Sequence, residues 1–420
     1  MDKLVIEGGA RLKGEVVISG AKNAVLPILA ATLLTDEPCF IKGIPNLRDT
    51  HTMVRILRSL GKNAEFDKGT VVVTSTKNMN SFADYKLVST MRASFCVLGP
   101  LLGKFKKAKV SLPGGCIIGI RPVDLHLKGL KALGTNIDIE AGYVIAKADN
   151  LKGAHIYLGG EFGSSVLATA NVIMAATRAK GRTIIESAAC EPEVVDLAEF
   201  LIKMGAKIKG HGTPIVEIEG ISELHGAEHK IIPDRIEAGT FILAALMAKG
   251  DILLKNVVWQ HLGALIDKLE EAGAAIKKSD GNIRARLRRN LKAINVTTLP
   301  YPGFPTDMQA QIMALMSITR GISIITEKVY PDRFMHVAEL NRMGARIQRE
   351  GPYAIVEGVR QLSGAPVMAS DLRASASLVL AGLVAKGRTS VTRLYHLERG
   401  YENIEEKLQK LGAKIWREKE

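Results

Sequence analysis

The apolar positions of this chain fall into amphipathic helices that stop in the same way each time. Six times a Leu stands four residues before a Gly, usually as Leu-x-x-apolar-Gly-Ala-x-Ile: Leu57 to Gly61, Leu130 to Gly134, Leu201 to Gly205, Leu269 to Gly273, Leu340 to Gly344 and Leu408 to Gly412. Glycine reaches positive φ without a Cβ penalty, so each copy predicts a helix, a glycine stop and a short strand such as Lys207-Ile208 or Lys414-Ile415. Successive glycines lie 68 to 73 residues apart, so the chain reads as one structural unit, repeated.

A second element recurs out of phase with the first: a strongly apolar helix, a turn containing Gly, and a strand. Copies are Ala170 to Ala176 before Gly181-Arg-Thr-Ile-Ile-Glu186, Thr240 to Ala248 before Gly250, Gln311 to Thr319 before Gly321, and Ala374 to Ala385 before Gly387. A helix apolar around most of its circumference must be covered on all sides, whereas the Leu-Gly helices carry Lys, Arg and Glu on one flank and belong nearer solvent. The expected fold is therefore α/β, with small βαβαβ-type layers whose buried helices meet at a common axis and whose strands lie outside. Six such units exceed one core, because single cores stop growing near about 250–300 residues. Two domains of three units follow.

The join is placed at Glu228-His-Lys-Ile-Ile-Pro233. If the strands expected in Met1 to Gly20 complete the second domain, the chain passes between domains near Gly20 and again near Ile231, leaving a cleft. The division is then 22–230 for the first domain, and 1–21 plus 231–420 for the second.

Charge narrows the choice of partner. Lys plus Arg number 57 against 43 Asp plus Glu, a formal +14, which favours anionic partners. Aromatic residues are only 5%, and no Lys/Arg run tracks a nucleic-acid backbone, so a small phosphorylated substrate fits better than nucleic acid. The longest apolar run, within Ala374 to Ala385, is too short to span a bilayer, so no membrane partner is expected. Met-Asp-Lys-Leu-Val-Ile-Glu has no charged segment followed by an apolar one, so the cytoplasm is the expected compartment. Oligomeric state is left open, a monomer among the options.

The four cysteines have no Cys-x-x-Cys spacing, so neither a metal nor any other cofactor is expected. Cys39 and Cys96 sit in apolar stretches and read as inert core thiols. Cys116 stands in Leu112-Pro-Gly-Gly-Cys-Ile-Ile-Gly-Ile-Arg-Pro122, a Gly/Pro-rich loop with Arg121 five residues on. Exposure near positive charge favours the reactive thiolate. A loop cysteine without a role is the other reading.

Two arginines stand where a helix dipole opposes them. Ser89-Thr-Met-Arg92-Ala-Ser94 and Ser370-Asp-Leu-Arg373-Ala-Ser375 read as capped starts of apolar helices with Arg in the first turn. A cation there costs up to about 1 kcal/mol, which points to an anion bound between the arginine and the helix-end amides. Lys22-Asn23, Asp307, Arg333 and Arg399 fall in similar turns. Together they suit a substrate carrying phosphate and carboxylate.

Six ordered motifs now carry a resemblance: Gly20-Ala-Lys-Asn-Ala24, Leu112-Pro-Gly-Gly-Cys-x-Ile-Gly-x-Arg-Pro-Val-Asp-Leu-His126, Pro233-Asp-Arg-Ile-Glu-x-Gly-Thr240, Phe304-Pro-Thr-Asp-Met-Gln-Ala-Gln311, Arg333-Phe-Met-His336 and Asp371-Leu-Arg-Ala-Ser-Ala376. From end to end the chain resembles the enolpyruvyl transferase family, and within it the members that act on UDP-N-acetylglucosamine. The resemblance implies a two-domain inside-out α/β barrel of six βαβαββ-type repeats, three per domain. It also implies addition of phosphoenolpyruvate to the 3'-hydroxyl of UDP-N-acetylglucosamine, then elimination of phosphate, opening peptidoglycan synthesis. By motif position Cys116 would donate the proton and be the target of fosfomycin-type alkylation. Asp307 would act as base or orienter of the sugar hydroxyl, and Lys22, Arg92, Arg121 and Arg399 would clamp phosphoenolpyruvate, with Lys22 and Arg399 also catalytic. Asp371, Arg373 and Arg333 would complete the site, while Asn23, Arg121, Pro122, Val123, Asp124, Leu125, His126, Ser165, Val166, Asp307 and Val329 would face the sugar nucleotide. The Cys116 loop would close as a lid that excludes water. This chain has Ser165-Val-Leu-Ala-Thr169 where the family usually has Ser-Val-Gly-Ala-Thr, and Tyr330-Pro-Asp332 where an aromatic-acidic-Asn turn is typical. The alternatives are the sister reaction on shikimate 3-phosphate and a non-catalytic basic protein that binds nucleic acid.

Overall fold

The computed structural model describes residues 2–114, 123–287 and 289–419. The predicted residues Cys116, Arg121 and Pro122 lie outside the described residues. Two compact units emerge, one running from Gly20 to Ile232, the other joining the chain up to Ser19 with the chain from Pro233 onward.

The repeat is plainest where it is uninterrupted. Strand Val296–Thr297, helix Gln309–Met316, strand Ile322–Thr326, helix His336–Arg342 and strands Arg346–Glu350 and Tyr353–Glu357 follow one another as βαβαββ. Their sheet has one parallel pair, Val296–Thr297 with Ile322–Thr326, and two antiparallel ones. Among the described residues the same pairing, one parallel and two antiparallel, recurs in six four-stranded sheets, three in each unit. All six predicted stop glycines have φ between +88° and +100°.

Helices divide into the two expected kinds. Arg48–Ser59 shows solvent Arg48, His51, Arg55 and Arg58 and buries Met53, Val54, Ile56 and Leu57. Such an outer helix covers a sheet with one apolar stripe. Arg235–Met247 instead buries every residue from Ile236 to Met247. In its unit it packs against Gln309–Met316 and Leu372–Val384, so the three apolar helices form the axis. In the other unit Lys22–Ala31, segment 92–105 and Val166–Ala176 do the same. Two of these approach so closely that a Cβ on Gly99 would lie 2.2 Å from the Asn171 carbonyl oxygen.

Three sheets are completed by strands out of sequence. Asp2–Glu7 lies antiparallel between Arg388–Thr392 and Lys414–Lys419. Lys13–Val17 pairs in parallel with Asp251–Lys255, and Glu228–Lys230 with Cys39–Lys42.

Cys39 and Cys96 are fully buried. Burial raises both thiols above their ordinary range, Cys96 to about 12, so neither is a nucleophile near neutrality.

Candidate active site

In the Gly20–Ile232 unit the axial helices run together. Lys104 Nζ, at the end of one, donates to Thr35 O (3.4 Å) beyond the end of another, and Lys106 Nζ donates to Arg178 O (3.5 Å) beyond the third. Their C-termini therefore share one end of the unit and carry cations there, which complements the negative dipole end. Their N-termini share the opposite end. Lys22 and Asn23 open the first helix, Arg92 opens the second segment, and Ser165 Oγ caps the third by accepting from Ala168 N (3.4 Å). Amide groups at such ends attract anions. Lys22 Nζ lies 2.9 Å from Asp49 Oδ2, an ion pair that directs the lysine.

Arg92 departs from expectation. Its segment begins as a 3₁₀ helix over Arg92–Val97 behind Met91, with no side-chain cap; Ser89 ends the preceding short helix instead. His126 also sits differently from a solvent-facing ligand. It is 2% exposed, packs edge-on against Phe95 and hydrogen bonds through Nδ1 to Asn171 Nδ2 (2.8 Å). Burial, then the charge of Arg92, pushes its pKa down to about 3, so the ring is neutral near neutrality. Val123 and Asp124 begin the helix Asp124–Ala132 that carries Leu125 and His126.

The other unit gathers more of the predicted residues. Asp307 lies in the turn Thr306–Met308 just before Gln309–Met316. Its Oδ1 accepts from Arg333 Nη1 and its Oδ2 from Arg373 Nη2, both at 2.8 Å. Burial works to raise the Asp307 carboxyl, but these two guanidiniums outweigh it and hold the group well below the usual carboxylate range. Such a carboxylate is a weak base and a firm hydrogen-bond acceptor.

Asp371 caps the helix Leu372–Val384, accepting through Oδ1 from Arg373 N (2.8 Å) and Ala374 N (3.1 Å). The predicted cation at a helix start is thus present in Arg373, and the anion it holds is the protein's own Asp307. Arg399 ends the 3₁₀ helix Leu394–Arg399 and is partly exposed. Val329 N donates to Glu327 Oε1 (2.9 Å).

Several polar residues here were not singled out from sequence. The Tyr401 hydroxyl, on a residue 3% exposed, meets Thr240 Oγ1 (2.9 Å), Gln311 Nε2 (3.2 Å) and Arg373 Nη1 (3.2 Å). These groups come from all three axial helices of the unit, so its helix N-termini also share one end. Thr240 and Gln311 interrupt largely apolar helices. That interruption is the signal that could have found them, since a buried polar side chain needs a partner. Asn171 does the same in the other unit, bonding Phe95 O (3.0 Å) and Gly99 N (2.8 Å).

Comparison with known proteins agrees with this architecture. The family model described as EPSP synthase (3-phosphoshikimate 1-carboxyvinyltransferase) matches residues 6–408. The chain belongs to this family of enolpyruvyl transferases. Proteins named UDP-N-acetylglucosamine 1-carboxyvinyltransferase are similar over the full length. The one from Methylacidiphilum infernorum is 54% identical over 417 residues, 99% of each chain, and one from Nitratidesulfovibrio vulgaris is 55% identical over 421 residues, 100% of each. Among solved structures, the enolpyruvyl transferase NikO from Streptomyces tendae superposes with a TM-score of 0.90 at 26% identity, covering 99% of this chain and 98% of that one. EPSP synthase from Acinetobacter baumannii shares the fold at a TM-score of 0.77, with 18% identity and both chains covered completely.

Proposed function

We propose that this chain transfers the enolpyruvyl group of phosphoenolpyruvate to the 3'-hydroxyl of UDP-N-acetylglucosamine, releasing phosphate, as the first committed step of peptidoglycan synthesis in the cytoplasm. Full-length identity of 54–55% to proteins named for that reaction carries the reading. The domain division at 22–230, with 1–21 and 231–420 as the second domain, is part of the proposal.

Chemically, addition delivers a proton to the methylene carbon of phosphoenolpyruvate while the sugar hydroxyl oxygen bonds to C2 and gives up its own proton to water. Elimination then removes a proton from the new methyl group as the C2–O bond to phosphate breaks. Cys116, which lies outside the described residues, supplies the proton to the methylene carbon. Lys22, Arg92, Arg121 and Arg399 neutralise the phosphate and carboxylate, and the helix N-termini beside Lys22 and Arg92 add their amides. Asp307, held strongly acidic by Arg333 and Arg373, orients the sugar hydroxyl as an acceptor rather than acting as a strong base. Asp371 holds the backbone that presents Arg373. Asn23, Pro122 to His126, Ser165, Val166 and Val329 border the sugar nucleotide; His126 does so through its helix position, its ring being buried.

The test is inorganic phosphate released from phosphoenolpyruvate, with UDP-N-acetylglucosamine or shikimate 3-phosphate as acceptor. Release with the first alone is expected. Release with shikimate 3-phosphate alone would transfer the assignment to the sister reaction, and salt-sensitive binding of nucleic acid without turnover would remove enzymatic activity from it.

A further inference from the structure

Glu327 follows the strand Ile322–Thr326 and is fully buried at 0% exposure. No motif of the sequence analysis includes it. Its Oε1 accepts from Val329 N and Tyr330 N, both at 2.9 Å, and from Thr298 Oγ1 at 2.6 Å. Its Oε2 accepts from Thr306 Oγ1 at 2.9 Å. One carboxylate therefore fastens two segments that carry candidate site residues: the turn holding Asp307 and the loop holding Val329 and Arg333.

The direction of these bonds matters more than their number. A guanidinium only donates, so Thr306, which accepts from Arg333, must spend its single hydroxyl proton on Glu327 and turn a lone pair outward. Arg333 Nη1 donates to that oxygen at 3.1 Å and to Asp307 Oδ1 at 2.8 Å. The order is thus fixed from the interior outward: Glu327 sets Thr306, Thr306 seats Arg333, and Arg333 places Asp307. An amide at position 327 would break it. If the amide oxygen kept the Val329 and Tyr330 amides, its nitrogen would face Thr306 as a donor. The Thr306 proton would then turn toward Arg333, a donor facing a donor.

We propose that Glu327 is a positioning residue for the acceptor substrate, acting through Thr306 and Arg333 on Asp307 and directly on the Val329–Tyr330 backbone. The inference rests on the reading that Asp307 and Val329 meet the sugar nucleotide. It predicts a selective defect, because the phosphoenolpyruvate clamp of Lys22, Arg92, Arg121 and Arg399 lies outside this relay.

The experiment measures KM for each substrate by phosphate release, using the full chain and its variants Glu327→Gln, Thr306→Val, Thr306→Ser and the double variant Glu327→Gln/Thr306→Val. Removing a hydrogen bond to a charged group corresponds to roughly a ten- to hundredfold effect, so KM for UDP-N-acetylglucosamine should rise by that factor in Glu327→Gln and Thr306→Val. KM for phosphoenolpyruvate should stay near its original value. Thr306→Ser keeps the hydroxyl and should retain nearly full affinity, and the double variant should be no worse than the poorer single one, because both cut the same relay. Thr306→Val leaves Glu327 its other three donors, so the test survives if Glu327→Gln does not fold. Equal rises in both KM values, fully additive losses, or no change in either single variant would overturn the proposal. A parent chain that releases no phosphate with UDP-N-acetylglucosamine would instead overturn the functional reading beneath it.

Discussion

Replacing Tyr401 by Phe removes one oxygen from the place where three axial helices meet. Its three partners do not lose equally. Thr240 Oγ1 keeps its bond to Ile236 O (2.8 Å), and Gln311 Nε2 keeps Asp307 O (3.0 Å). Arg373 Nη1 loses the acceptor at 3.2 Å while its guanidinium stays buried, at 2% exposure. A charged donor stripped of its partner in the interior costs about 1.5–3 kcal/mol, and two weakened neutral bonds add little, so the variant should lose about 2–3 kcal/mol. The protein supplies its own reporter: both tryptophans, Trp259 and Trp416, belong to the unit that contains Tyr401. Urea unfolding followed by tryptophan fluorescence therefore reads that unit, and with a slope of about 2–3 kcal/mol per M the midpoint should fall by about 1 M. Tyr395→Phe, at a residue 37% exposed, serves as the control and should leave the midpoint in place. Equal midpoints for Tyr401→Phe and the parent would refute the view that this hydroxyl holds Arg373.

Other perturbations test separate parts of the account. Asp307→Ala leaves Arg333 and Arg373 buried and facing each other, so it should cost about 3–5 kcal/mol of stability as well as turnover; intact stability would show the guanidiniums satisfied elsewhere. His126 and His336 are buried neutral, their pKa values pushed down to about 3 and about 4 mainly by burial, whereas the unfolded chain binds protons below about 6.5. Stability should thus be complete above about pH 6.5 and fall, by about 1.4 kcal/mol per pH unit for each ring, as pH drops toward those values. Denaturation midpoints between pH 4 and 7, with His126→Gln flattening the slope, provide the check. Cys116→Ser should lose most phosphate release while Cys39→Ser keeps it, and mass spectrometry after fosfomycin treatment should find the adduct on Cys116; equal losses, or an adduct elsewhere, would remove Cys116 from its role.

Much of the fold could be read in the chain because its repeats rest on a backbone constraint. A positive φ after a helix selects glycine, and six such stops appear as six spaced glycines. The buried helices were legible for a similar reason, since an all-apolar surface has nowhere else to go. Strand partnership was harder. Glu228-His-Lys230 carries no mark of pairing with Cys39–Lys42, because a short edge strand reads like any polar loop. The site was half legible. Arg373 betrayed itself by opposing a helix dipole, whereas Arg92 looked alike in sequence yet opens an uncapped 3₁₀ segment. Tyr401, Thr240, Gln311 and Glu327 gave little signal, since their importance comes from contacts across long separations in sequence.

The out-of-order strands set a timetable for synthesis. Once Lys230 has emerged from the ribosome, the Gly20–Ile232 unit has every strand of its three sheets. Lys13–Val17 must meanwhile wait for Asp251–Lys255, and Asp2–Glu7 for Arg388–Thr392 and Lys414–Lys419. The earliest segments made are thus among the last to find neighbours, and through most of translation they are open edges that a nascent-chain chaperone or a second polypeptide could capture.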